Sequence, residues 1–239
     1  MNILDCTTAE KNISPVHKNI QNNKNDKKVT AASIAGSAIG IAAAVAGVYQ
    51  LAKNSNPEIS LKNLAYSEGD VILIGAGSVL GGLTGGLIAD KNKENVQAKK
   101  REAMQQFFGN MLCPIGLLSV CDKLLDAFPV KMKQVPASAK GAKYINTLLN
   151  ALPKALVTVT ALVGGMEIGN KIMNKVNNKI FKEEVKHEVQ AEDYLVHADD
   201  LCLTANMLLK DSPSVSAVTS KILPATFLIA GSKTGTQKA

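Results

Sequence analysis

Residues 71–89 read VILIGAGSVLGGLTGGLIA, nineteen positions without a charge and with six glycines among them. Glycine inside a helix costs roughly 1 kcal/mol against alanine. Six of them in a run otherwise suited to a helix therefore need compensation from packing. A second run, residues 29–52, VTAASIAGSAIGIAAAVAGVYQLA, holds twenty-four positions without a charge. With a rise of about 1.5 Å per residue, each run is long enough for a transmembrane helix. The nine Val, Ile and Leu residues of 71–89 contribute roughly −3 to −5 kcal/mol on the insertion scale. The first run has fewer of them and inserts more weakly.

Composition points the same way. The chain is 46% hydrophobic but only 4% aromatic, with no Trp. Aqueous cores of this size rely on aromatic side chains for buried area, whereas Ala, Val, Ile, Leu and Gly suit close helix–helix contact. The formal charge of +7 comes almost wholly from lysine, Arg101 being the single arginine. Nucleic-acid readers favour arginine and stacking aromatics, so nucleic acid is not an expected partner. Lysine flanking apolar runs instead follows the positive-inside pattern. Five lysines precede residue 29, two lie in 53–70, and five basic residues fall in 91–101. That distribution predicts a hairpin with both ends, and the N-terminus, in the cytoplasm. Ala44-Val45-Ala46 before Gly47 has the form of a signal-peptidase site. The acids in the long preceding segment and the length of the apolar run favour retention of the segment.

The glycines are spaced for contact. Gly77, Gly81 and Gly85 recur every four residues, as do Ala32, Gly36, Gly40 and Ala44, and Gly165 with Gly169 repeats the spacing once. Residues four apart share a helix face, so each set forms a groove bare of large side chains. In lipid, helices associate through such close backbone packing more than through a hydrophobic force. Gly36, Gly40 and Ala44 lie 41 residues before Gly77, Gly81 and Gly85. On these residues the stretch 29–89 resembles the glycine-zipper two-helix membrane hairpins of bacterial envelope proteins and some pore-forming proteins. The resemblance implies membrane insertion and oligomerisation through those faces, and no particular activity. The competing reading is a Gly/Ala-rich soluble helical core.

Beyond residue 103 the pattern is weaker. Residues 107–120, about 14 positions, are apolar but contain Asn110 and are expected to be broken at Pro114, a length that suits a re-entrant, interfacial or bundle-buried helix as well as a span. Residues 155–166 are bracketed by Lys154 and Glu167. Residues 213–231 carry Lys221, and a central lysine costs about +2.5 to +3.5 kcal/mol. If 107–120 and 155–166 both cross, the four lysines of 131–143 fall outside, against the charge rule. If only 155–166 crosses, the lysines of 171–186 do.

Lys171, Lys175 and Lys179 share one helical stripe beside Ile172, Val176 and Ile180. With Lys182 and Lys186 they predict either a basic amphipathic helix on anionic lipid or a solvated helix extension. Glu184 and His187 make a single E-x-x-H, with Asp193 and His197 further on. A di-iron bundle needs two such motifs, so no metal or other cofactor is expected. Cys6, Cys113, Cys121 and Cys202 form no C-x-x-C pair, so small buried thiols are expected instead of a disulfide or zinc framework. VILIGAG has a faint dinucleotide-fingerprint look, but no alternating β–α pattern surrounds it.

The expected fold is an all-α, helical integral membrane protein. It comprises a polar tail (1–28), a glycine-rich transmembrane hairpin (29–90) and a helical region (91–239) with one to three further membrane-associated segments. The expected function is a non-enzymatic, multi-pass membrane component that self-associates through small faces, the bilayer and other helices being its partners. The alternative is an oligomeric channel or pore. No small-molecule substrate is identified. A membrane enzyme is disfavoured by the lack of a catalytic motif, and a buried polar cluster around Glu184 and His187 would revive it.

Overall fold

The computed structural model describes residues 15–61, 64, 66–182, 186–197 and 213–239, with side chains from residue 25 in the first helix and from 224 in the last. The described residues contain helices and no strand. In order these are α1 (Pro15–Ser55), α2 (Glu68–Ala89), α3 (Asn95–Met104), a π-helical segment (Gln105–Leu112), α4 (Cys113–Ala127), α5 (Ala142–Phe181), a 3-10 helix (Ala191–His197) and α6 (Pro213–Thr236). The stretches Asn25–Ser55, Glu68–Ala89, Asn95–Ala127 and Ala142–Phe181 are long and apolar enough to cross a membrane.

α1 starts at Pro15, so residues 15–28, expected as a polar tail, form its first turns. Proline is favoured at a helix start, where its missing N–H is not needed, and no glycine or second proline interrupts the polar stretch. α2 opens on a capping box: Asp70 N–H donates to Ser67 Oγ, and Ser67 N–H donates to Asp70 Oδ2 at 2.9 Å. α5 follows Gly141, whose φ of +78° suits a residue without a Cβ.

The break expected at Pro114 does not occur; residues 95–127 form one continuous rod. Proline lacks a donor and its ring crowds the preceding turn. The register loosens to π just before it, where Cys113 N–H donates to Phe108 O, five residues back. The wider turn also lets Gln105, Gln106, Gly109, Asn110 and Met111 all face inward.

Facing pairs fix the helix directions. Gly36 meets Gly81 and Gly40 meets Gly77, so α1 and α2 are antiparallel. Gly82 meets Gly231 and Gly86 meets Gly235, so α6 runs parallel to α2. Lys99 pairs with Asp90 while Met111 reaches Gly75, making the α3–α4 rod antiparallel to α2. Gly169 meets Gly109 and Gly165 meets Pro114, so α5 returns along that rod. The ends of α2, α5 and α6, the start of α3 and the Asp26 region of α1 therefore share one end, rich in lysine. Residues 56–61 and the loop 128–141 lie at the other, so packing puts the lysines of 131–143, which the charge rule left open, opposite the basic end.

The interior is unusual for a chain bathed in water. Ser33, Ser37, Ser78 and Asn110 are 0% exposed, while Ile39, Leu80 and Ile88 are 69%, 61% and 80% exposed. Ile41, Ile74, Met111, Ile115, Val196 and Phe227 form a small apolar core.

Candidate helix-packing seam and buried polar network

Along the α1–α2 seam no side chain larger than a methyl intervenes. A Cβ added to Gly36 or Gly40 would land on the carbonyl of Gly81 or Gly77, and one added to Gly85 would land on Ala32 O. A Cβ on Gly77 would lie 3.0 Å from that of Ala44. All seven small residues expected on these two faces thus meet one another inside a single chain. Gly165 and Gly169 are used in the same way, against the backbones of Pro114 and Gly109.

A second seam, not anticipated from the sequence, joins α6 to the hairpin through Gly82, Gly86, Gly231 and Gly235. Serines stitch its centre. Ser37 and Ser78 hydroxyls are 2.7 Å apart, and Ser78 Oγ donates to Phe227 O. Ser33 Oγ reaches Ser232 O at 3.0 Å and Gly82 O at 3.2 Å. Ser33, Ser37 and Ser78 follow Ala32, Gly36 and Gly77 of the first seam in sequence, so α1 offers small residues to α2 and serine to α6. The spacing was visible as Gly82–Gly86 and Gly231–Gly235, four apart like the others.

A polar network fills the space between the α3–π rod, α5, α6 and the 3-10 helix. Gln106 Nε2 donates to Glu102 Oε1 at 2.7 Å and to Asp193 Oδ1 at 3.0 Å. Lys233 Nζ pairs with Asp193 at 2.8 Å, and His197 Nε2 lies 2.7 Å from Asn110 O. Glu102, Gln105, Gln106, Asp193 and His197 are each at most 4% exposed. Because Lys233 lies between Gly231 and Gly235, the network stands level with Gly82–Gly86, beside the uncharged part of α2. Nearer the basic end, the buried pair Lys99–Asp90 at 3.0 Å ties α3 to α2. Burial opposes ionisation of Asp90, but the Asn92 N–H, the Asn95 amide and the Lys99 ammonium outweigh it and hold its carboxyl below the usual range.

His187 belongs to this region, with a carboxylate different from the one expected. Its Nε2 is 3.6 Å from Glu102 Oε2, and its Nδ1 is 3.1 Å from Asn170 Oδ1. Glu184 lies outside the described residues, as do Cys6 and Cys202. Cys113 and Cys121 are free thiols. Among the described residues no three His, Cys, Asp or Glu side chains are grouped to hold a metal ion. Beside Glu102 and His187 a cavity of about 340 Å³ opens, lined also by Gln105, Asn174 and Asn177.

Lys171, Lys175, Lys179, Lys182 and Lys186 are all exposed. The face of α5 turned inward carries Asn170, Met173 and Asn177, leaving Ile172 and Ile180 outside at 47% and 55% exposure. The lysine and isoleucine stripes are thus both outward.

Comparison with protein-family models, curated proteins and solved structures finds no match.

Proposed function

We propose that this chain is a multi-pass integral membrane protein whose role is carried by helix association, with no catalytic centre. What supports this most is its inside-out distribution. Serines and amides are buried while Ile39, Leu80 and Ile88 face outward. Water would penalise that arrangement, whereas hydrocarbon favours it. The α1–α2 faces hold the chain's own hairpin. Their outer rim leaves an open, uncharged furrow of about 750 Å³ running past Ile39, Ala43, Leu73, Leu80 and Ile88. A second copy of the chain packs its helix ridge there. On this reading the basic end faces the cytoplasm, which the lysine bias supports.

Two measurements test this. The full chain is expected in the membrane fraction after carbonate washing; recovery as a soluble monomer overturns the reading. Energy transfer between donor- and acceptor-labelled copies in bicelles is expected to fall when Ala43→Leu fills the furrow. Transfer unchanged by Ala43→Leu, or no transfer in the wild type, overturns self-association through it.

A second reading is an oligomeric or single-chain conducting pathway. The observation favouring it is the buried Glu102, Gln106 and Asp193, joined to the half-buried Lys233, beside the uncharged part of α2, since ionisable groups at such depth commonly mark ion or proton routes. Reconstituted liposomes are expected to show conductance steps on this reading, and their absence at every voltage rejects it.

A further inference from the structure

The geometry points to the cavity between α2, the α3–π rod and the end of α5 as a site for one acyl chain of an anionic phospholipid, an inference that rests on the membrane reading above. The cavity measures about 480 Å³, within the usual size of ligand pockets, and among the described residues Lys100 is the one charged group lining it. Phe107, Phe108 and Phe181, three of the chain's five phenylalanines, wall it together with Val79 and Leu83. A chain poor in aromatic side chains thus gathers most of its phenylalanine here. The Phe107 and Phe108 rings stand nearly edge to face, 5.0 Å apart. They are consecutive residues of the π-helical segment, whose wider turn lessens the angle between neighbouring side chains and lets both reach the cavity. Such π turns frequently mark functional sites.

The cavity opens sideways, onto the surface where Leu80 and Phe108 are 61% and 43% exposed. Lys100 and Phe181 line it toward the basic end, and Phe108 lies eight residues, about 12 Å, further along the rod. Lys100 is exposed, and its side chain makes no ion pair or hydrogen bond among the described residues. A cation at the mouth of an apolar slot matches a lipid with an anionic head at the ammonium and its chain below. A zwitterionic head brings a cation of its own to Lys100 and gains less there. A second copy inserted the same way brings its basic end level with Lys100, so like charges oppose its docking here. The furrow past Ile39 and Ala43, which has no charged lining residue, carries no such penalty.

The chain has no Trp, so a single introduced one reports on one place. Phe108→Trp puts it in the cavity, Leu83→Trp on the facing wall, and Val159→Trp on an apolar face of α5, 39% exposed and away from the cavity. The full chain is placed in phosphatidylcholine nanodiscs with a minor share of phosphatidylglycerol or phosphatidylcholine carrying brominated chains, which quench Trp on contact. At both cavity positions half-quenching is expected at about fivefold less brominated phosphatidylglycerol than phosphatidylcholine, the worth of one basic residue at an anionic head. Val159→Trp is expected to respond equally to the two lipids, and adding Lys100→Gln should bring the cavity ratio to one. Equal responses in the cavity, no quenching there, or a ratio untouched by Lys100→Gln overturns the site, while quenching of Val159→Trp keeps the membrane reading. An unquenched Val159→Trp overturns both.

Discussion

Gly77→Val tests the α1–α2 seam directly. Its Cβ would lie 2.5 Å from Gly40 O and 3.0 Å from Ala44 Cβ, where ordinary contact begins at 3.4 Å. The helices must therefore part by about 0.9 Å (3.4 − 2.5) at that level. Neither atom that is struck can swing away, one being backbone and the other a Cβ, so relief requires moving a whole helix. A gap of roughly 0.5–1 Å forfeits a quarter to a half of each dispersion contact along the seam, and overpacking of this kind costs about 1–3 kcal/mol. Valine recovers only a few tenths of a kcal/mol over glycine in helix propensity. The expected net loss is about 2 kcal/mol, roughly a thirtyfold fall in the folding equilibrium. Gly47→Val is the matched control, because a Cβ there meets nothing within 4 Å. Unfolding in mixed detergent and SDS micelles, followed by energy transfer between labels at the exposed positions 28 and 91, compares the two. Equal midpoints for the two variants would refute close backbone contact as the source of the hairpin's stability.

Three further outcomes follow from the polar interior. Ser78→Ala removes both the Phe227 bond and the acceptor of Ser37. It should cost about 0.6–1.7 kcal/mol, more than Ser37→Ala, and the double variant should lose little beyond Ser78→Ala in the same titration. Lys233→Met strands Asp193, 1% exposed, without its cation, which should cost about 3–5 kcal/mol; adding Asp193→Asn should recover most of it. The depressed Asp90 carboxyl makes its stabilisation complete above the ordinary carboxylate range near pH ~4, and lost as pH falls through the lower folded value. The unfolding midpoint should drop on acidification below that range, and Asp90→Asn should flatten the drop.

The helices and their small faces were legible because both signals are local. An uncharged run announces itself, and glycines four apart share a face whatever they touch. What the stripe touches is not local information. Gly81 reads the same whether it meets Gly36 of its own chain or a second copy, and only the Ser67–Asp70 cap and the short 56–67 loop bring α2 back on α1 in register. Charge masked the second seam: insertion arithmetic discounts a helix holding Lys221, yet Gly231 and Gly235 pack as closely as any pair, and Lys233 between them is neutralised by Asp193. Pro114 misled for a related reason. Its missing donor argues for a break only if the helix must keep its α register, and the π turn that replaces it also turns Gln105, Gln106 and Asn110 inward. The polar network joins residues 102, 106, 193 and 233 from four separate elements, so no spacing rule could assemble it. A sequence declares how much polarity it carries near its apolar runs, and only the packing decides whether that polarity faces outward to a solvent or inward to itself. In this chain it turns inward, and the burial of Glu102, Gln106 and Asp193 beside α2, with Lys233 half-buried against them, is what supports the proposed apolar surroundings.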